Sequence, residues 1–147
     1  LSHALARGVD AGLHEVDDGF TLLLGLFDST ITYRAQFQAR RELAPLLHLV
    51  VQDTDNPRAL AWVARTMRDR VRKLARHDPD WATLITAPLP RPEDWSLAAL
   101  CSAGADGRHA ALIEGLEACS REALALSEAL GRRLFSHARS LDRTVWQ

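Results

Sequence analysis

The chain has 147 residues, 47% of them hydrophobic and 25% charged, and a formal net charge of −1. That mixture argues against disorder, and the near-neutral balance predicts no strong attraction to nucleic acid or to a membrane surface. A chain of this length makes one domain that buries about two-thirds of the surface its unfolded form would expose.

Cys101 and Cys119 are the only cysteines, without a CxxC spacing or a disulfide framework, so free thiols in a reducing compartment are expected. No apolar run approaches the roughly 18 residues of a membrane helix, and the N-terminus lacks the order of a signal peptide. The cytoplasm is therefore the expected location. Lys73 is the single lysine, and the richness in arginine, alanine and leucine fits a GC-rich bacterial genome. The start at Leu1 suggests a piece of a longer protein, with residues 1–16 a remnant helix or linker.

From Phe20 to Phe37 two patterns compete. "FDSTITYRAQF" alternates as a half-buried strand does, whereas Phe20, Leu23, Leu24, Phe27 and Ile31 recur as one face of a helix. A lone strand would leave its backbone groups unpaired, and no second alternating run is present, so the spacing predicts a helix. "RRELAPLLHLVVQ" predicts a short helix with Pro45 in its first turn, ending at "DTDNPR". Asn56 and Pro57 then read as the cap and first position of a helix whose stripe of Leu60, Val63, Met67, Val71 and Leu74 lasts to about His77.

Prolines at 79, 88, 90 and 92 leave room for a brief helix near Trp81 to Thr86, followed by a loop. "DWSLAALCSAG" predicts another short helix. From about Arg108 to His137, Leu112, Leu116, Cys119, Ala123, Leu126, Leu130 and Leu134 form a long bundle-type seam, with residues 139–147 as a tail. The expected fold is all-α, a single antiparallel helical bundle of about four to six helices, two of them long.

Several polar groupings invite a functional reading. In a continuous helix Ser29 and Tyr33 lie four apart, as do Thr30 and Arg34, with Asp28 beside them. Arg34 could bind an anion there, and Asp28 or Tyr33 could move a proton; alternatively the group is a buried network bracing the bundle. Arg65, Arg68, Arg72 and Arg76 form a stripe that could meet phosphate, but the neighbouring acids favour a solvated face. The six histidines, at 3, 14, 48, 77, 109 and 137, never pair at the spacing of a helical metal site, and the adjacent His14 and Glu15 should point apart. No phosphate-binding loop or nucleophile elbow occurs, and Ser136 beside His137 reads as a helix-terminal pair. Neither a catalytic set nor a metal site is predicted.

The stretch "FDSTITYRAQFQARRELAPLLHLVVQDTDNPRALAWVARTMRDRV" resembles the bacterial Alpha-E domain, in which a D-S-x-I-T-Y-R helix precedes a Leu-Ala-Pro helix and a D-x-x-N-P-R-S helix start. Asp28, Ser29, Ile31, Thr32, Tyr33, Arg34, Leu43, Ala44, Pro45, Asp53, Asn56, Pro57 and Arg58 carry the resemblance. Near the end, "LSEALGRRLFSHA" resembles the family's closing helix through Arg132, Arg133, Phe135, Ser136 and His137. The family's Glu-Arg motif belongs to an earlier helix with an R-x-x-E-R-A pattern that this chain lacks, which suggests the C-terminal part of the domain.

The resemblance implies a wholly helical fold. Alpha-E domains are fused to, or encoded beside, circularly permuted ATP-grasp proteins and transglutaminase-like peptidases, so it also implies a system that makes amide bonds. The implied role is an accessory domain, not catalytic alone, of an ATP-grasp peptide ligase in cis or in trans. ATP and Mg would belong to the ligase domain and no cofactor to this chain. Asp28, Ser29, Tyr33, Arg34, Asn56, Arg58, Arg132 and Arg133 are the implied binding residues. A face left by missing helices could also self-associate. The alternatives are a stand-alone enzyme using Asp28 as general base and Arg34 as anion holder, and a scaffold whose polar residues only specify packing.

Overall fold

A computed structural model describes residues 1–78, 81 and 89–142, with the backbone alone at 134 and 136–142. The described residues form α1 (Ser2–Asp10), α2 (Asp17–Leu26), α3 (Thr30–Phe37), α4 (Leu43–Leu47), α5 (Leu60–His77), α6 (Leu97–Cys101) and α7 (Ala110–Asp142). Short 3-10 turns span Leu13–Glu15 and Pro92–Asp94, and a π turn spans His48–Gln52. No strand occurs among them, as the sequence predicts, and α5 and α7 are the two long helices at 18 and 33 residues.

Leu46, Leu47, Leu49, Val50 and Val51 are all fully buried, so the α4–π segment is apolar on nearly every side and forms the centre of the molecule. Around it pack Leu5 and Val9 of α1, Phe20, Leu23 and Leu24 of α2, Leu100 of α6, and Leu112 and Leu116 of α7. Each such side chain contributes roughly 2 kcal/mol of burial free energy. A second cluster joins Val71 of α5, Trp81 and Leu126 of α7, with Met67, Leu89 and Leu130 against it.

Residues 2–10 form a helix packed into this core. Asp10 at its end accepts from Arg108 Nε, 3.3 Å away and just ahead of α7, while His3 near its start shares a hollow with Glu117, Ser120, Arg121 and Leu124. The two helices therefore run antiparallel. Gly12 takes φ 70° at the turn into the first 3-10 segment, and a Cβ on Gly19 would lie 2.3 Å from the Leu13 carbonyl oxygen. Only glycine permits α2 to approach that turn so closely.

Several local expectations are corrected. The helix expected from Phe20 to Phe37 is two helices, because the chain leaves α2 in a Schellman motif: Asp28 N donates to Gly25 O at 3.0 Å and Ser29 N to Leu24 O at 3.0 Å. Asp28 is the left-handed residue this motif needs, with φ 46°. The break resets the helical phase. Ile31, expected on the apolar face, is consequently 85% exposed.

Asn56 does not cap α5, which begins at Leu60 after Ala59 without a side-chain cap. On α5, Val71 is buried along with Ala61 and Ala64, and Leu60 and Met67 pack against the core, while Val63 and Leu74 are 43% and 41% exposed. Arg68 is not on a solvated face either: its side chain is 11% exposed, and its guanidinium pairs with Glu93 and donates to the Pro90 carbonyl. α6 is capped as a helix start should be, Ser96 Oγ accepting from Ala99 N at 3.3 Å. The helix expected between Trp81 and Thr86 lies outside the described residues except for Trp81, as do residues 143–147 of the tail. Residues 139–142 continue α7.

Candidate functional site

Four of the anticipated residues meet where α2 ends and α5 approaches. Asp53 Oδ1 accepts from Asp55 N at 2.8 Å and Asn56 N at 3.2 Å, curling "DTDNPR" into a turn. This points the Asn56 side chain inward, where it is 6% exposed. Its Nδ2 donates to Leu49 O at 2.9 Å and to Ser29 Oγ at 3.4 Å, while its Oδ1 accepts from Arg58 N at 3.2 Å. Ser29, fully buried, donates in turn to Phe27 O at 2.9 Å. Asn56 thus ties the α2–α3 break to the π turn.

Directly outside this buried knot lies a solvated ion pair. Arg58 Nε donates to Asp28 Oδ2 at 2.8 Å, with the neighbouring amino group on the same oxygen. The Asp28 side chain is 81% exposed and that of Arg58 49%. Asp28 is therefore not the buried acceptor of a packing network. It sits in an open, charge-paired position.

Tyr33 and Arg34 belong to a separate cleft of 430 Å³, lined also by Phe20 and Leu24. Thr21, Thr30, Arg34, Gln38, Arg40 and Arg41 line the remainder. Tyr33 is 2% exposed and its hydroxyl donates to Arg40 O at 2.7 Å; burial raises its pKa, so the phenol stays neutral. Phe20 and Phe37 flank it at ring-centroid distances of 5.3 and 5.1 Å.

Arg132 and Arg133 stand elsewhere. Arg132 faces Glu128 at 3.9 Å, and the Arg133 guanidinium lies 5.2 Å from the centre of the Trp81 ring. The sequence-expected site is thus divided into a buried knot with a surface pair, a cleft, and an α7 segment. The side chains of Ser136 and His137 lie outside the described residues.

One grouping has no signal in the linear spacing. His14 and His109, distant in sequence, meet edge to face with centroids 5.5 Å apart. His14 Nε2 also lies 3.8 Å from Glu15 Oε1, contrary to the expectation that the two diverge. Burial first, and then His109, lower the pKa of His14, against the opposing pull of Glu15 and the Val9 backbone. Among the described residues no three His, Cys, Asp or Glu side chains form a group that could hold a metal ion. Cys101 and Cys119 are free, and burial pushes the Cys119 thiol up to about 12.

The architecture is that of a helical domain in which Asp28, Ser29, Asn56 and Arg58 meet at the break between α2 and α3, and Tyr33 and Arg34 line a cleft beside α3. The sequence model of the Alpha-E family, described as a predicted alpha-helical domain with a conserved ER motif, matches residues 2–135, and the chain belongs to that family. The match takes in α1 as well as the later motifs. No Glu-Arg dipeptide occurs in the 147 residues. No curated protein and no solved structure matches the chain.

Proposed function

We propose that this Alpha-E chain is an accessory and interaction domain of an ATP-grasp amide-bond ligase system, not catalytic by itself. The observation that supports this reading is the surface at the α2–α3 break. Asp28 and Arg58 present a solvated ion pair, and Leu22, Leu26 and Ile31 on the same stretch of chain are 55%, 41% and 85% exposed. Leu22 and Leu26 are four apart and share a helix face. Exposed apolar side chains beside charged ones form the kind of patch that docks a protein.

The partner in this reading is the ATP-grasp domain, in cis or in trans, which supplies ATP and Mg; a transglutaminase-like peptidase is a further partner of the same bacterial, cytoplasmic system. The buried Asn56–Ser29 knot fixes the backbone that displays the patch. An enzyme built on Asp28 has less support, since that carboxylate is paired with Arg58 and does not line the cleft beside it.

The test is ATP hydrolysis and amide formation by the ATP-grasp partner, with and without this domain, and with Ile31→Asp or Arg58→Glu. Lost coupling with unchanged helical content supports docking through this patch. Ligase turnover indifferent to the domain overturns it.

A further inference from the structure

We propose that the cleft between α2, α3 and residues 38–41 binds a carboxylate carried on a small apolar body, and that it prefers the C-terminal end of a peptide to a free amino acid. This goes beyond the accessory reading and does not depend on it, because the ligand is read on this chain alone.

The lining separates by chemistry. The buried Phe20, Leu24 and Tyr33 line the cleft together with the exposed Thr21, Arg34, Arg40 and Arg41 and the half-buried Thr30. Arg41 is paired with Asp17, and Glu42 adjoins Tyr33. The Arg34 and Arg40 guanidiniums have no hydrogen-bond or ion-pair partner among the described residues. A planar guanidinium fork suits a carboxylate, which it binds in a bidentate manner. A volume of 430 Å³ lies within the usual range for small-ligand sites.

The two regions together select the ligand. A bare anion engages the arginines alone, whereas an apolar body with a carboxylate also covers the side of the cleft made by Phe20, Leu24 and Tyr33. The surplus of positive charge disfavours the ammonium group of a free amino acid, and an acylated nitrogen removes that repulsion. Preference for a peptide end follows.

The cleft wall is also held in place. Gln38 has φ 59° and ψ −127°, a backbone conformation that favours glycine. It is fixed by Gln38 N donating to Arg34 O at 3.0 Å, Arg40 N to Phe37 O at 3.3 Å, and the Tyr33 hydroxyl to Arg40 O at 2.7 Å. A strained residue retained by several hydrogen bonds is a common feature of pre-organised binding loops.

The experiment titrates the 147-residue chain with N-acetyl-leucine, leucine, leucine amide, acetate and inorganic phosphate. The arginine Nε–H signals are followed by NMR in the parent chain and in Arg34→Ala, Arg40→Ala and the distant control Arg76→Ala. Saturable binding of N-acetyl-leucine is expected, tighter than leucine or acetate, absent for leucine amide, and weakened about tenfold or more in Arg34→Ala and Arg40→Ala but not in Arg76→Ala. No saturation by any probe, equal affinity in Arg34→Ala, or binding of leucine amide as strong as that of the acid would each overturn the proposal. Tighter binding of phosphate than of N-acetyl-leucine would overturn it in favour of a general anion site.

Discussion

Arg58 donates its Nε to the Asp28 carboxylate at 2.8 Å, joining the segment before α5 to the one backbone position that ends α2 in a left-handed turn. Because both side chains are open to water, the pair should contribute less than about 1 kcal/mol. The turn itself matters more. Asp28→Asn and Asp28→Gly are expected to fold within about 1 kcal/mol of the parent chain, since both residues tolerate positive φ, while Asp28→Val should lose about 1–2 kcal/mol. Urea denaturation measures this series. A large loss in Asp28→Asn would restore the buried-network reading that the open carboxylate argues against.

Asn56 presents the opposite case. Its amide reaches Leu49 O and Ser29 Oγ inside the core, so Asn56→Ala should cost about 1–3 kcal/mol by leaving buried polar groups unpaired. Asn56→Asp keeps the size and turns a donor into an acceptor facing a carbonyl. It should therefore be at least as damaging, and a midpoint in urea equal to that of the parent chain would refute the role assigned to the amide.

The Arg68–Glu93 pair joins α5 to the turn before α6 with side chains 11% and 22% exposed. Removing Arg68 alone, as in Arg68→Met, leaves Glu93 in a protected place without its cation and should cost about 3–5 kcal/mol. The double variant Arg68→Met with Glu93→Leu should recover a substantial part of that loss. Additive losses in a double-mutant cycle would show that the two side chains act independently.

His14 supplies a pH dependence with a definite sign. Its pKa in the fold is lowered from 6.5, with burial the largest cause and His109 the second. The unfolded chain therefore binds more protons than the folded one between that lowered pKa and 6.5, and folding stability falls as pH falls through this window. His14→Gln, which cannot take the proton, should flatten that part of the curve of unfolding midpoint against pH. A curve of unchanged slope in the variant would place the dependence on another group.

The extent of helix and the long α5 and α7 could be read from the sequence, because each depends on spacing among near neighbours, whereas Asn56, expected to cap α5, instead turns its amide into the core. The Phe20–Phe37 stretch shows the limit. Its periodicity suits one helix, but the left-handed state of Asp28 is held by carbonyls of Leu24 and Gly25 and by the neighbouring packing, so Ile31 leaves the core face.

The candidate site was legible as a set of residue types, not as an arrangement. Only the tertiary structure separates Asp28 and Arg58 from the Tyr33–Arg34 cleft, buries Arg68 against Glu93, and brings His14 to His109. The physical reason is one of range. Helix periodicity and turn chemistry act over a few residues along the chain, whereas the burial of a charge and the meeting of distant side chains depend on how the finished helices pack.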